Sequence, residues 1–286
     1  MPVLSIIACD MLEDELAYVL SKDNELEQLI LVEKIECFGL QRKLKSLGCH
    51  SALIPLDRVQ EILKGEKNFP AIQKPVSGLR FIEKIRSRLD NRHKTKVTVV
   101  ANMLKMGLHM DVKLLKAEVY RNIREMSRFS DRILIFYGTC GHSLVNIEKD
   151  FEYLECQLYF LKDDKGDIVE DCISVALGGN KAYAEAMAQS EGTFYLTPMW
   201  ASGRMEIPKE MISEISRLGK MYMKRYGKVA KINTGLSYEP DFDENVRDFA
   251  RSFNLKIVEL EGSKKIAEQS YQNAKKFLCE QKRDVG

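Results

Sequence analysis

Apolar residues along this chain fall into short unbroken runs, separated by longer stretches with helical spacing. The runs are Val3–Ala8, Leu29–Val32, Lys96–Ala101, Ile133–Phe136, Gln157–Leu161, Phe194–Thr197, Val229–Asn233 and Leu255–Leu260. Each is rich in β-branched or aromatic side chains and is bounded by polar or glycine-bearing segments, which predicts strands. Between them lie predicted helices. The clearest is Asp111–Arg128, where Val112, Leu115, Val119, Ile123 and Met126 line one face. Others are expected over Met11–Leu20, Glu36–Leu47, Leu79–Leu89, Leu144–Tyr153, Asn180–Gln189, Glu206–Tyr226, Glu244–Ser252 and Ser263–Gln281. Strands that alternate with helices predict an α/β fold, a mostly parallel sheet flanked by helices, arranged in up to two or three Rossmann-like lobes. The segment Glu66–Gly78, with Pro70, Pro75 and Gly78, reads as a linker. It divides an N-terminal α/β lobe (1–78) from central and C-terminal α/β lobes (79–286), with one continuous domain as the alternative.

Two of the runs share a local plan. Val3–Ala8 leads into Cys9, Asp10 and a helix; Ile133–Phe136 leads into Tyr137-Gly138-Thr139-Cys140-Gly141-His142-Ser143 and a predicted helix. In open α/β sheets ligands bind outside the carboxyl ends of the strands, where these loops fall. Gly138 and Gly141 permit a tight turn, and a cysteine at a helix N-terminus is biased toward the thiolate.

Composition narrows the chemistry. The chain has 286 residues, and 44 Lys and Arg against 42 Asp and Glu leave a net charge of +2. That balance carries no nucleic-acid signature. The basic C-terminal stretch around Lys275 and Lys276 reads as a solvated helix face. No apolar run reaches the length of a membrane span, and MPVLSIIACD lacks the features of a signal peptide. A cytoplasmic protein is expected, and there seven cysteines point to buried thiols or to metal and redox chemistry rather than disulfides.

Cys9, Cys140 and Cys172 come from three segments, and three thiolates would leave one position open on zinc or an iron–sulfur cluster. The alternative is three small buried hydrophobes. His142 and His109 are candidate ligands or general bases, and Asp10 reads as a helix cap. Tyr137, Gly138, Gly141, Tyr195, Thr197 and Trp200 end predicted strands and are candidates to line a substrate pocket. The glycine loops match neither dinucleotide nor P-loop patterns, so no nucleotide is inferred.

IACDMLEDEL, FYGTCGHSL, DCISVALGG and TFYLTP resemble the uncharacterised domain-of-unknown-function family 1638, over about Leu4 to Gly235. Members occur mainly in anaerobic bacteria and archaea, often near genes for corrinoid-dependent methyltransferases. The resemblance implies a role in one-carbon metabolism and a site at Cys9, Cys140 and Cys172. It also implies a small-molecule substrate and association with a corrinoid, a corrinoid protein or a methyltransferase. Two other readings stay open: a non-catalytic accessory protein for such methyltransferases, and a metal-free enzyme with Cys140 as nucleophile.

Overall fold

The computed structural model describes residues 1–65, 96–201, 223–236, 238 and 240–276. It is α/β, as the alternation predicts. The chain divides into two units: Met1–Leu161 with Ala267–Gly286, and Lys162–Ile266. The expected linker and the 78/79 boundary lie outside the described residues, as does the predicted helix Leu79–Leu89 and nearly all of Glu206–Tyr226.

The first unit holds a six-stranded parallel sheet. Its strands are β1 (Val3–Cys9), β2 (Leu26–Val32), β3 (Ala52–Ile54), β4 (Val97–Leu104), β5 (Arg132–Phe136) and β6 (Gln157–Phe160), in the order β3-β2-β4-β1-β5-β6. Every residue of β1, β4 and β5 is buried. That is why these strands read as continuous apolar runs: a parallel strand covered on both faces has no polar side to alternate with. Helices α1 (Glu13–Lys22), α2 (Cys37–Ser46), α3 (Leu56–Leu63) and α4 (Val112–Met126) connect the strands. Asp111 caps α4, its carboxylate accepting from the backbone N–H of Lys113 and Leu114. Leu115, Val119, Ile123 and Met126 form its buried face; Val112 is half exposed.

The order of the strands creates the functional edge. From β1 the chain moves toward β2, and from β4 it moves the opposite way, toward β5. Parallel crossovers are right-handed, so the two connections cover opposite faces. The loops leaving the neighbouring strands β4 and β1 therefore part, and ligands bind where they part.

One predicted helix is mostly absent. Of Leu144–Tyr153 only a single turn, α5 (Ile147–Asp150), is α-helical. Cys140, Gly141 and His142 all have left-handed φ, at 45°, 68° and 66°. The chain stays in turns through Asn146 and becomes helical only at Ile147. Cys140 therefore does not sit at a helix N-terminus, and the dipole argument for its thiolate does not apply.

The C-terminal helix returns to the first unit. In α10 (Lys265–Lys276), Tyr271 donates to Asp23 Oδ2 at 2.6 Å, and Lys275 donates to Asp23 Oδ1 at 2.5 Å. Lys275 also pairs with Glu25 at 2.9 Å and is 3% exposed at its side chain. The face that reads as solvated from the run of lysines thus buries one of them against two carboxylates.

The second unit holds a three-stranded parallel sheet, β7 (Thr193–Leu196), β8 (Lys228–Asn233) and β9 (Lys256–Glu261), in that order. Around it are α6 (Cys172–Leu177), α7 (Asn180–Gln189), the short α8 (Pro198–Ala201) and α9 (Phe242–Phe253). Leu196, Val229, Phe242, Val246 and Ala250 form its core. Gly178 and Gly179 join α6 to α7 with φ of 92° and 135°, a conformation that L side chains rarely adopt. Among the described residues no helix is long and apolar enough to cross a membrane.

Candidate functional site

Register brings the two strand–cysteine segments side by side. Ala8 lies opposite Phe136, and Cys9 lies opposite Leu104 of β4. The next residue on β5's path is Tyr137, so Cys9 and Tyr137 leave adjacent strands about 4.8 Å apart. Cys9 is extended, and the chain then turns through the 3-10 segment Asp10–Leu12. Cys140 follows Tyr137 by three residues, on the left-handed turn, and is partly exposed.

Tyr137 is the centre of this group. Its side chain is 2% exposed, and its hydroxyl has no hydrogen-bond partner. Burial holds the phenol well above its ordinary range; the nearby Cys9, Cys140 and Asp10 charges push the same way. Cys9 Sγ is close enough to act on the hydroxyl, although the contact falls short of hydrogen-bond geometry. Burial likewise pushes the Cys9 thiol up to about 11, with Asp10 and Glu15 adding, and the Met11 backbone and Tyr137 opposing. At neutral pH both groups keep their protons.

Gly138 is buried beside Tyr137, while the left-handed turn falls on Gly141 and its neighbours. His142 is exposed on that turn, and His109 is exposed on a 3-10 turn after β4. Both histidines thus stand on loops from the strands that flank β1, at the same sheet edge as Cys9 and Cys140.

The remaining predicted site residues belong to the second unit. Cys172 opens α6 behind Asp171, whose carboxylate accepts from Ile173 N and Ser174 N, both at 2.9 Å. Cys172 also acts on the partly buried phenol of Tyr183, which burial, Asp171, Tyr195 and Cys172 hold above its ordinary range. Tyr195 packs edge-on against Tyr183 at 5.9 Å, and its hydroxyl has no partner. Trp200 instead packs on Phe194 at 5.0 Å and Phe249 at 5.9 Å. Phe194 and Tyr195 are successive strand residues, so Trp200 and Tyr195 serve opposite faces of β7. Thr197 is buried and its hydroxyl accepts from Trp200 N at 3.4 Å, capping α8. Among the described residues, no group of three or more His, Cys, Asp and Glu side chains is placed to hold one metal ion.

Sequence reading missed the buried acids behind Cys9. Asp10, Glu13, Asp14 and Glu15 are all buried, and so is Lys43. Lys43 Nζ lies 2.9 Å from Glu13 Oε1 and 2.5 Å from Asp14 Oδ1. Burial, then the Asp14 charge, raises Glu15 to about 8, with Lys43 opposing. Acids in a helix's first turn normally read as solvated dipole partners. The available signal was their number: three consecutive acids on a helix of 3.6 residues per turn cannot all point away from the sheet.

The profile of the family described as Protein of unknown function (DUF1638) matches residues 103–271, so the chain belongs to that family. No curated protein matches the chain.

Proposed function

We propose that this member of the DUF1638 family is a cytoplasmic metalloprotein. Its thiolate site, built on Cys9 and Cys140, holds zinc or an iron–sulfur cluster and acts on a small molecule. The observation that carries the reading is the buried Tyr137 hydroxyl without a hydrogen-bond partner, set beside Cys9 at the carboxyl ends of the paired strands β1 and β5, with Cys140 three residues further along the same loop. Two thiols fit part of a zinc or cluster shell but fall short of the three protein ligands of a catalytic zinc. A bound ion would supply Lewis acidity or an open iron position. The protein's own part is to deliver Cys9 and Cys140 from fixed strand ends, to shield Cys9 from water, and to offer His142 or His109 for proton exchange. Gly138 and Gly141 border the position a substrate would take beside Cys140. The link to one-carbon metabolism, and to a corrinoid protein or methyltransferase as partner, rests on the family resemblance alone.

Elemental analysis of anaerobically purified protein tests this. About one zinc ion or one cluster per chain is expected. Replacing Cys140 by serine should remove most of it while the circular dichroism spectrum is unchanged, because Cys140 is a partly exposed loop residue. Cys172→Ser, measured alongside, decides whether that thiol takes part. A wild-type protein without metal, or a C140S protein with full metal content, overturns the reading. A metal-free protein alkylated rapidly at Cys140 alone would instead establish the nucleophilic-thiol reading, which the exposure of that residue favours.

A further inference from the structure

We propose that Tyr137 is itself a ligand: its phenol oxygen joins Cys9 Sγ and Cys140 Sγ around one divalent metal ion. This rests on the reading of the two cysteines as a metal site, and it supplies the third protein donor that the thiols leave wanting.

The argument starts from what the hydroxyl lacks. A buried tyrosine normally finds a partner for its O–H. The first unit follows that rule elsewhere: Tyr271 donates to Asp23, Tyr120 to Asp150 and Tyr18 to Glu268. Tyr137 is nearly as buried as Tyr271 and more buried than Tyr120 and Tyr18, and its hydroxyl has no hydrogen-bond partner. Phenylalanine would fill the same volume without burying an unpaired polar atom. An unsatisfied hydroxyl where a phenylalanine would fill the same space points to a partner for that oxygen.

Its surroundings say what that partner is. Register sets Tyr137 beside Cys9 across β5 and β1, and Cys140 follows Tyr137 by three residues on the left-handed turn, where its charge acts on the same phenol. Two sulfurs and one oxygen at the ends of adjacent strands form a three-donor set. Zinc accepts sulfur and oxygen donors together, and three protein ligands leave its fourth position open. Binding forms no new covalent bond in the chain: the ion replaces the protons on its donors, which pass to solvent.

Cobalt(II) serves as the probe, titrated anaerobically into the metal-free full-length chain. Wild-type protein should bind about one ion per chain, with sulfur-to-cobalt absorption and an ultraviolet tyrosinate signal. Tyr137→Phe should keep the sulfur absorption and lose the tyrosinate signal. It should also bind at least about tenfold more weakly, the scale on which even outer-shell partners act. Metal-free Y137F should melt at the same temperature as the metal-free wild type or higher, since it loses an unsatisfied polar atom and no well-formed hydrogen bond. Y137F that binds cobalt as tightly as wild type, or that melts lower without metal, overturns the assignment. Wild-type protein that binds no cobalt removes the two-cysteine site itself, a failure separate from that of Tyr137.

Discussion

Replacing Lys43 by alanine is expected to lower folding stability by about 3–5 kcal/mol, a large effect for a single side chain. Lys43 is 2% exposed, and its ammonium lies 2.9 Å from Glu13 and 2.5 Å from Asp14, which are 0% and 1% exposed. These groups have left water almost completely. Such a triad need not stabilise the fold relative to apolar residues of the same shape, but removing one partner of a buried ion pair is strongly destabilising. The consequence reaches the candidate site, because Glu13 and Asp14 open α1 directly after the Cys9 turn. Urea denaturation at neutral pH checks the figure. The loss should shrink when Glu13 and Asp14 are replaced by Gln and Asn in the same chain, since no buried charge is then left unpaired. A loss below about 1 kcal/mol for K43A, the value of a surface pair, would contradict the placement of the triad.

The second large effect is a dependence of stability on pH that one residue dominates. Glu15 is 3% exposed, and its carboxyl is raised to about 8, first by burial and then by the Asp14 charge. In the unfolded chain the same group titrates near 4.5. The folded state therefore binds a proton that the unfolded state releases across that window. Its contribution to stability is fully present below the unfolded value and is lost as pH rises through the folded one. Each unit of separation is worth about 1.4 kcal/mol, so wild-type protein should lose on the order of 2 kcal/mol between about pH 6 and about pH 9. Glutamine mimics the protonated acid in shape and cannot ionise. Glu15→Gln should flatten this part of the curve and be the more stable protein at the alkaline end. Urea midpoints at both pH values decide the matter; equal slopes for the two proteins would show that Glu15 is ionised in the fold.

Much of the fold was legible because burial on both faces leaves a plain trace. Val3–Cys9 and Arg132–Phe136 are interior strands of a parallel sheet, and their apolar runs say so directly. Helix α4 was legible because one face is buried at regular spacing and Asp111 marks its start. The turn at Cys140 was not, because left-handed backbone at a cysteine and a histidine has no compositional signal; only Gly141 advertises it. Lys275 misled because a lysine run looks solvated, and its partners Asp23 and Glu25 are some 250 residues away in sequence. The same separation hid the site's chemistry. Cys9 and Cys140 stand out as residues that follow strands, but that Tyr137 stands beside Cys9, buried and with no hydrogen-bond partner for its hydroxyl, depends on the pairing of β1 with β5. The acids behind Cys9 were disguised as an ordinary helix start, with their cation Lys43 on a different helix.

The most direct test is X-ray absorption at the zinc edge, recorded on anaerobically prepared, zinc-loaded protein. The account predicts at least two sulfur scatterers at about 2.3 Å and a lighter oxygen or nitrogen shell at about 2.0 Å. Removal of one sulfur is expected in Cys9→Ser and in Cys140→Ser. A zinc environment made only of oxygen and nitrogen, or one unchanged by either substitution, would contradict it.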